Sequence, residues 1–357
     1  MVKVRKGSPY VALTEAEFDR RFDEHFVDPK FDSVREELER VRSVAHGNYT
    51  DYRKAPHKQK AGSEYADPEY DLSVDWIRAR AEIKRAAARH ADRGTRSRIL
   101  LVHGSARNEH TCPGEVSKTL RLCDLAKEEL AAADVDVDFL DLSTLTAEYG
   151  RVIYPCKACV ATAMPLCHWP CSCYPNHALH QTGDWMNEIY PRWVAAHGVL
   201  IVTPVYWYQA PSVLKLMMDR LVCADGGNPD PTTTGGKDPK KAKQLELEGW
   251  SYPRHLAGRA FSVVVHGDAA GVETLHASLT SWLTDMHLVR ADSAGGVARY
   301  VGYYEPYATS HDDLDKDTAF QQEVRSAARA LVRCVTDLRD PERSAPDAEL
   351  APDPRPK

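Results

Sequence analysis

No stretch of the 357-residue chain approaches the roughly 18 consecutive apolar residues that a membrane-spanning helix needs. The opening segment, MVKVRKGSPYVALTEAEFDRRF, has neither an apolar core nor a small-residue cleavage site, so no signal peptide is expected. Nor is there an excess of positive charge. A formal net charge of −6 gives no global attraction to nucleic acid or anionic lipid, and neither is expected as a partner. Two nucleotide signatures are also missing. The loop GSARNEHT has Ala106 where G-x-G-x-x-G demands glycine. TGGKD at 234–238 has Asp238 after the lysine and Pro231 where a Walker loop needs its first glycine. A nucleotide triphosphatase is thereby disfavoured, and no internal repeat points to a solenoid.

What remains is the composition of a globular protein, 43% hydrophobic and 27% charged, long enough for one large domain or two ordinary ones. Nine cysteines without secretory features suit a reducing cytoplasm better than a disulfide scaffold. Residues 1–97 read as polar helices forming an N-terminal extension. TEAEFDRRFDEHF carries a capping box in Thr14 and Glu17, with Phe18, Phe22 and Phe26 at helical spacing. DSVREELERV is a second helix, and a third follows a coil from about Ser73 to Ala91.

At residue 98 the pattern changes to alternating strands and helices. RILLVHG, VDVDFLDL, GVLIVTPVY and GRAFSVVVHGD read as strands, with a weaker fifth in HLVRADSAGGVARY. Helices are expected between them, one broken near Pro191, and a last one over DTAFQQEVRSAARALVRCVTDL. The domain runs over 98–339, and the Pro- and Asp-rich segment 340–357 is expected to be a disordered tail. This order implies a parallel sheet covered on both faces, whose ligand lies beyond the carboxyl ends of the strands.

Three loops converge there. GSARNEHT precedes a helix and offers backbone N–H groups, hydroxyls and the charge of Arg107 to a phosphate. TPVYWYQAP puts Tyr206, Trp207 and Tyr208 in a turn, as a platform for a planar ring, a cap on the core or a dimer contact. HGDAAG has small residues that permit close backbone approach.

GSAR after a first strand, TPVYWYQAPSVLKLMMDR and HGD together resemble the flavodoxin-like NAD(P)H-dependent FMN reductases over roughly 97–338. The resemblance implies a flavodoxin-like α/β fold, a doubly wound parallel five-stranded sheet. It implies FMN as cofactor and NAD(P)H as co-substrate, with a hydride passing between them. Ser105, Arg107, Thr111, Ser117, Lys118 and Thr119 would hold the FMN phosphate. Pro204, Val205, Tyr206 and Trp207 would flank the isoalloxazine, and Gly267 and Asp268 would approach its polar edge. The resemblance implies no acid–base residue, a small-molecule electron acceptor such as free flavin or a quinone, and a homo-oligomer.

The stretch YPCKACVATAMPLCHWPCSCYPN holds Cys156, Cys159, Cys167, Cys171 and Cys173, spacing that suits zinc, an iron–sulfur cluster or free thiols. It resembles the cluster loop of iron–sulfur flavoproteins without their C-x₂-C-x₂-C run. An electron carrier serving a redox partner protein and a zinc-stabilised module without flavin are therefore the alternative functions. His168 reads either as a further ligand or as a hydrogen-bonding residue. The connection 225–253 is too long for a simple link and is expected to be functional or disordered.

Overall fold

The computed structural model describes residues 2–161 and 164–340, so the expected tail at 340–357 lies, but for Asp340, outside the described residues. The chain divides into two compact units. The smaller gathers Met1–Arg78, Lys157–Asp184 and Asn228–Trp250, and the larger the remainder.

Helix α1 spans Glu15–Asp23, and the Thr14 hydroxyl accepts from the Glu17 N–H as the capping signature requires. Helix α2 spans Arg35–Thr50. Where coil is expected, strands β1 (Lys58–Lys60) and β2 (Asp71–Ser73) pair antiparallel. They are too short for periodicity to reveal. Helix α3 (Val74–Ala91) follows, and Trp76 near its start packs with Tyr65 and Leu72 in a small core.

The larger unit opens with β3 (Ser97–His103), α4 (Lys118–Ala131) and β4 (Val135–Asp141). Helix α5 (Met186–Ala195) runs through Pro191 without the expected break. In so short a helix the proline forgoes one hydrogen bond, while buried Ile189, Tyr190 and Trp193 hold the turn in place. Then come β5 (Gly198–Pro204) and α6 (Ser212–Leu221). The long connection is partly ordered as α7 (Pro239–Leu247), capped by Asp238, in the smaller unit. Strand β6 (Ala260–Gly267), α8 (Val272–Asp285), β7 (Val289–Arg290), β8 (Gly296–Tyr300), α9 (Tyr307–Lys316) and α10 (Thr318–Arg339) complete the unit.

The sheet is parallel, in the order β4-β3-β5-β6, with β7 and β8 both alongside β6. The five expected positions are thus filled, the last one twice, because a short turn at Ser293–Gly295 splits the fifth strand. Counted by position the order is 2-1-3-4-5, and the topological switch point lies between β3 and β5. Strands β5 and β6 are buried along their whole length, as central strands covered on both faces must be. At the edge, β4 alternates apolar residues with Asp136 and Asp138, charges that discourage pairing with another chain.

One face is covered by α4 and α10, through Leu122, Ala126 and Leu130 on one helix and Phe320, Val324 and Leu331 on the other. Each such large side chain, fully buried, contributes about 1.5–3 kcal/mol. Leu331→Ala should cost about 2–5 kcal/mol and lower the denaturation midpoint of the larger unit, read by circular dichroism in urea.

Candidate functional site

The end of β3 leads into a hydroxyl-rich turn and then α4. Ser105 is buried, and its Oγ accepts the Arg107 N–H at 3.1 Å. The Arg107 guanidinium donates to the Pro113 carbonyl at 3.0 Å, yet its Nε is buried with no partner. Thr111 bonds back to the Asn108 carbonyl at 2.8 Å. Ser117 caps the 14-residue α4, its Oγ accepting the Leu120 N–H at 3.1 Å. An unsatisfied guanidinium nitrogen in the turn that feeds a helix N-terminus fits a phosphate.

Behind this turn lie two histidines that the sequence reading did not single out. His103 closes β3 and is fully buried. Its Nδ1 stands 2.6 Å from Asp141 Oδ1, and its Nε2 stands 3.1 Å from Ser117 Oγ. Burial pushes the Asp141 carboxyl up, but the bonds from His103 and Ser143 outweigh it and hold the group below its ordinary value. His266, near the end of β6, has Nε2 2.8 Å from Thr119 Oγ1. Burial first, then the charges of Lys118 and His103, push it down to about 3, so it is neutral at physiological pH. A signal existed: both strands end in Val-His-Gly, at 102–104 and 265–267. Burial likewise lowers the Lys118 ammonium, against the opposing pull of Asp268 and Asp313.

The aromatic loop is a tight reversal. Val205 donates its N–H to the His266 carbonyl at 2.8 Å, tying the loop to β6. Tyr206 and Gln209 exchange two backbone hydrogen bonds of 2.9 Å around Trp207 and Tyr208, whose φ values are +47° and +65°. Positive φ at both central positions is the pattern of a type I′ turn, for which Asn-Gly is the unstrained choice. Two aromatics there hold the backbone in a costly conformation, and such strain gathers at functional sites. The Trp207 side chain is 94% exposed, so core packing does not explain it.

Glycines set the close approach on the β6 side. A Cβ on Gly267 would come within 2.5 Å of Val205 Cγ1. Gly271, at φ +111°, would meet the Tyr208 backbone at 2.8 Å. Asp268 itself is exposed. A further aromatic group follows β8 in RYVGYYEPY, also unforeseen. The rings of Tyr300 and Tyr303 lie 5.1 Å apart, those of Tyr303 and Tyr304 lie 4.3 Å apart, and the Tyr307 hydroxyl bonds Glu115. Four tyrosines within eight residues were the available clue.

The cysteine stretch is divided. Cys156 belongs to the larger unit, and Cys159, Cys167, Cys171 and Cys173 to the smaller. Sγ of Cys159 and Sγ of Cys173 stand 3.6 Å apart. That thiol contact comes first among the causes that raise the Cys173 thiol. His168 is buried with both nitrogens engaged, Nδ1 at 2.6 Å from Ser172 Oγ and Nε2 at 3.0 Å from Thr234 Oγ1. Among the described residues, no group of three or more His, Cys, Asp or Glu side chains is arranged to hold a metal ion. No described helix is long and apolar enough to cross a membrane.

The fold is that of a flavodoxin-like α/β protein, with the turn after β3 at its switch point. The model of the NADPH-dependent FMN reductase family matches residues 97–298, more than half of the chain, and the chain belongs to that family. It is accordingly an FMN-dependent NAD(P)H oxidoreductase. No curated protein matches it. Among solved structures it is similar to RosB with bound 8-demethyl-8-formylriboflavin-5'-phosphate, at 12% identity and a TM-score of 0.49, covering 70% of this chain and 82% of that one. An oxidoreductase from Corynebacterium diphtheriae follows at 14% identity and TM-score 0.39, covering 68% and 98%. A flavone reductase stands at 14% and 0.41, covering 68% and 64%.

Trp207→Asn places a residue tolerant of positive φ at the turn and removes little packing. The apoprotein should unfold at an unchanged or higher temperature, by up to about 1 kcal/mol. FMN affinity should fall by about 0.5–1.5 kcal/mol if the indole meets the ring, as a fluorescence titration will read.

Proposed function

We propose that Ser105, Arg107 and Ser117, on the turn leading into α4, hold the FMN phosphate, with Lys118 and Thr119 beside them. The observation that carries this reading is the buried Arg107 Nε without a partner. Thr111 shapes the turn through its bond to Asn108. Pro204, Val205, Tyr206 and Trp207 form one wall for the ring. Gly267 supports its backbone approach, since any side chain there would collide with Val205.

When bound, the flavin supplies the redox chemistry, taking a hydride from NAD(P)H and passing electrons to an acceptor. The protein's part is to align the two ring systems, exclude water and fix the phosphate. The acceptor we favour is a small planar molecule, free flavin or a quinone, because exposed Trp207 and the Tyr300–Tyr307 group offer flat apolar surface. The same exposed aromatics support a homo-oligomer. Nine cysteines without secretory features support a cytoplasmic setting.

The iron–sulfur reading of Cys156, Cys159, Cys167, Cys171 and Cys173 rests on their number and spacing, together with the close Cys159–Cys173 contact. The described residues do not fit a metal centre, and no step is assigned to one. Protein prepared without oxygen decides it. Iron with acid-labile sulfide, lost in Cys159→Ser, would support the cluster, and metal-free protein would leave the cysteines as thiols.

Purified protein reconstituted with FMN should show oxidised-flavin absorbance and oxidise NADPH or NADH in the presence of an acceptor. Arg107→Ala should weaken FMN binding by about 1.5–3 kcal/mol, roughly 10- to 150-fold. A fully folded protein that binds no flavin would overturn the reading.

A further inference from the structure

Two sulfur atoms of the smaller unit already touch. Cys159 Sγ and Cys173 Sγ stand 3.6 Å apart, although 14 positions separate the two residues in the chain. The Cys171 side chain also bonds Cys173, and Lys54 acts electrostatically on all three sulfurs. Cys159 and Cys173 are partly exposed, whereas the thiols of Cys123 and Cys223 are buried. A metal centre needs three or four donors converging on one point, and the described residues offer no such group. A disulfide needs only two. Its sulfurs sit at about 2.05 Å, so an approach of roughly 1.5 Å joins this pair.

The backbone on both sides of Cys171 and Cys173 is held in place. Trp169 donates its N–H to the Asn228 carbonyl at 2.7 Å, and Asn228 donates in turn to the Cys167 carbonyl at 2.7 Å. The Trp76 indole donates to the Pro170 carbonyl at 2.9 Å. Beyond Cys173, the N–H groups of His177 and Ala178 reach the carbonyls of Lys54 and Arg53 at 3.0 and 2.8 Å. Folding of the unit has thus already met the entropy cost of bringing the two thiols together. Each stands at a high effective concentration for the other.

We propose that Cys159 and Cys173 form a redox-active dithiol that reduces a low-molecular-weight disulfide and itself closes to an intramolecular disulfide. One thiol gives its proton to solvent, and the thiolate attacks a sulfur of the small disulfide. A mixed disulfide forms while the first small thiolate departs and takes up a proton. The second protein sulfur, deprotonated in turn, attacks the protein sulfur of the mixed disulfide and expels the second small thiol. The chain loses two hydrogens with two electrons, and the small disulfide gains them as two thiols. The balance closes without flavin or metal. The pair lies within the smaller unit, and the proposal does not rest on the assignment of FMN to the turn after β3.

Full-length protein, reduced with dithiothreitol, desalted without oxygen and then given glutathione disulfide, tests this. Peptide mapping under non-reducing conditions should find Cys159 joined to Cys173. Two glutathione thiols should be released per link, and dithiothreitol should restore both cysteines. Cys171→Ser should still form the link. Cys159→Ser should leave at most a mixed disulfide at Cys173, cutting glutathione release by about one per chain or more. Where a variant does not fold, the wild-type map decides alone. A wild-type link that joins Cys173 to Cys171, or unchanged release from folded Cys159→Ser, would overturn the pairing. Iron or zinc held by either sulfur in the purified protein, or glutathione left on the wild-type pair without a link, would overturn the dithiol itself.

Discussion

Parallel pairing is the constraint on which the site depends. Because β3, β5 and β6 run in the same direction, their carboxyl ends share one edge, and three loops far apart in sequence meet there. Parallel strands need crossovers, and the crossover helices cover both faces. Covering the faces is what allows β5 and β6 to be apolar along their length. It also isolates the few polar groups at their ends from solvent, so that each must find a partner within the protein.

Those polar groups are organised around two strand-terminal histidines. His103 and His266 sit at equivalent points of two strands, each touching a hydroxyl at the start of α4. Their settings differ by one carboxylate. Asp141 closes β4 directly opposite His103 in the parallel register and bonds its ring, whereas the ring of His266 meets the Thr119 hydroxyl.

The aromatic turn follows another logic. Its backbone is the one a two-residue reversal demands, yet its residues are poorly suited to that backbone. Trp207 and Tyr208 at positive φ make local stability and surface chemistry compete, and Gly271 yields the space that Tyr208 requires. Such a conflict between local preference and observed residue is expected where function is served.

Much of this could be read in the chain itself. Short apolar runs located the strands, and the switch from polar helical periodicity at residue 98 located the start of the sheet. Thr14 and Glu17 announced the first helix, since capping depends only on neighbours a few residues apart. The strands that carry the three candidate loops were legible because apolar runs and turn residues are local signals. The split of the fifth strand, the passage of α5 through Pro191 and the short β1–β2 pair were not, because packing against distant residues decided them. The same holds for the His103–Asp141–Ser117 chain. Its members lie 38 and 14 residues apart, and periodicity says nothing of which strand-end carboxylate will face which histidine. Sequence determined which residues could bond; only the parallel register of β3 on β4 set His103 opposite Asp141 and brought them within reach.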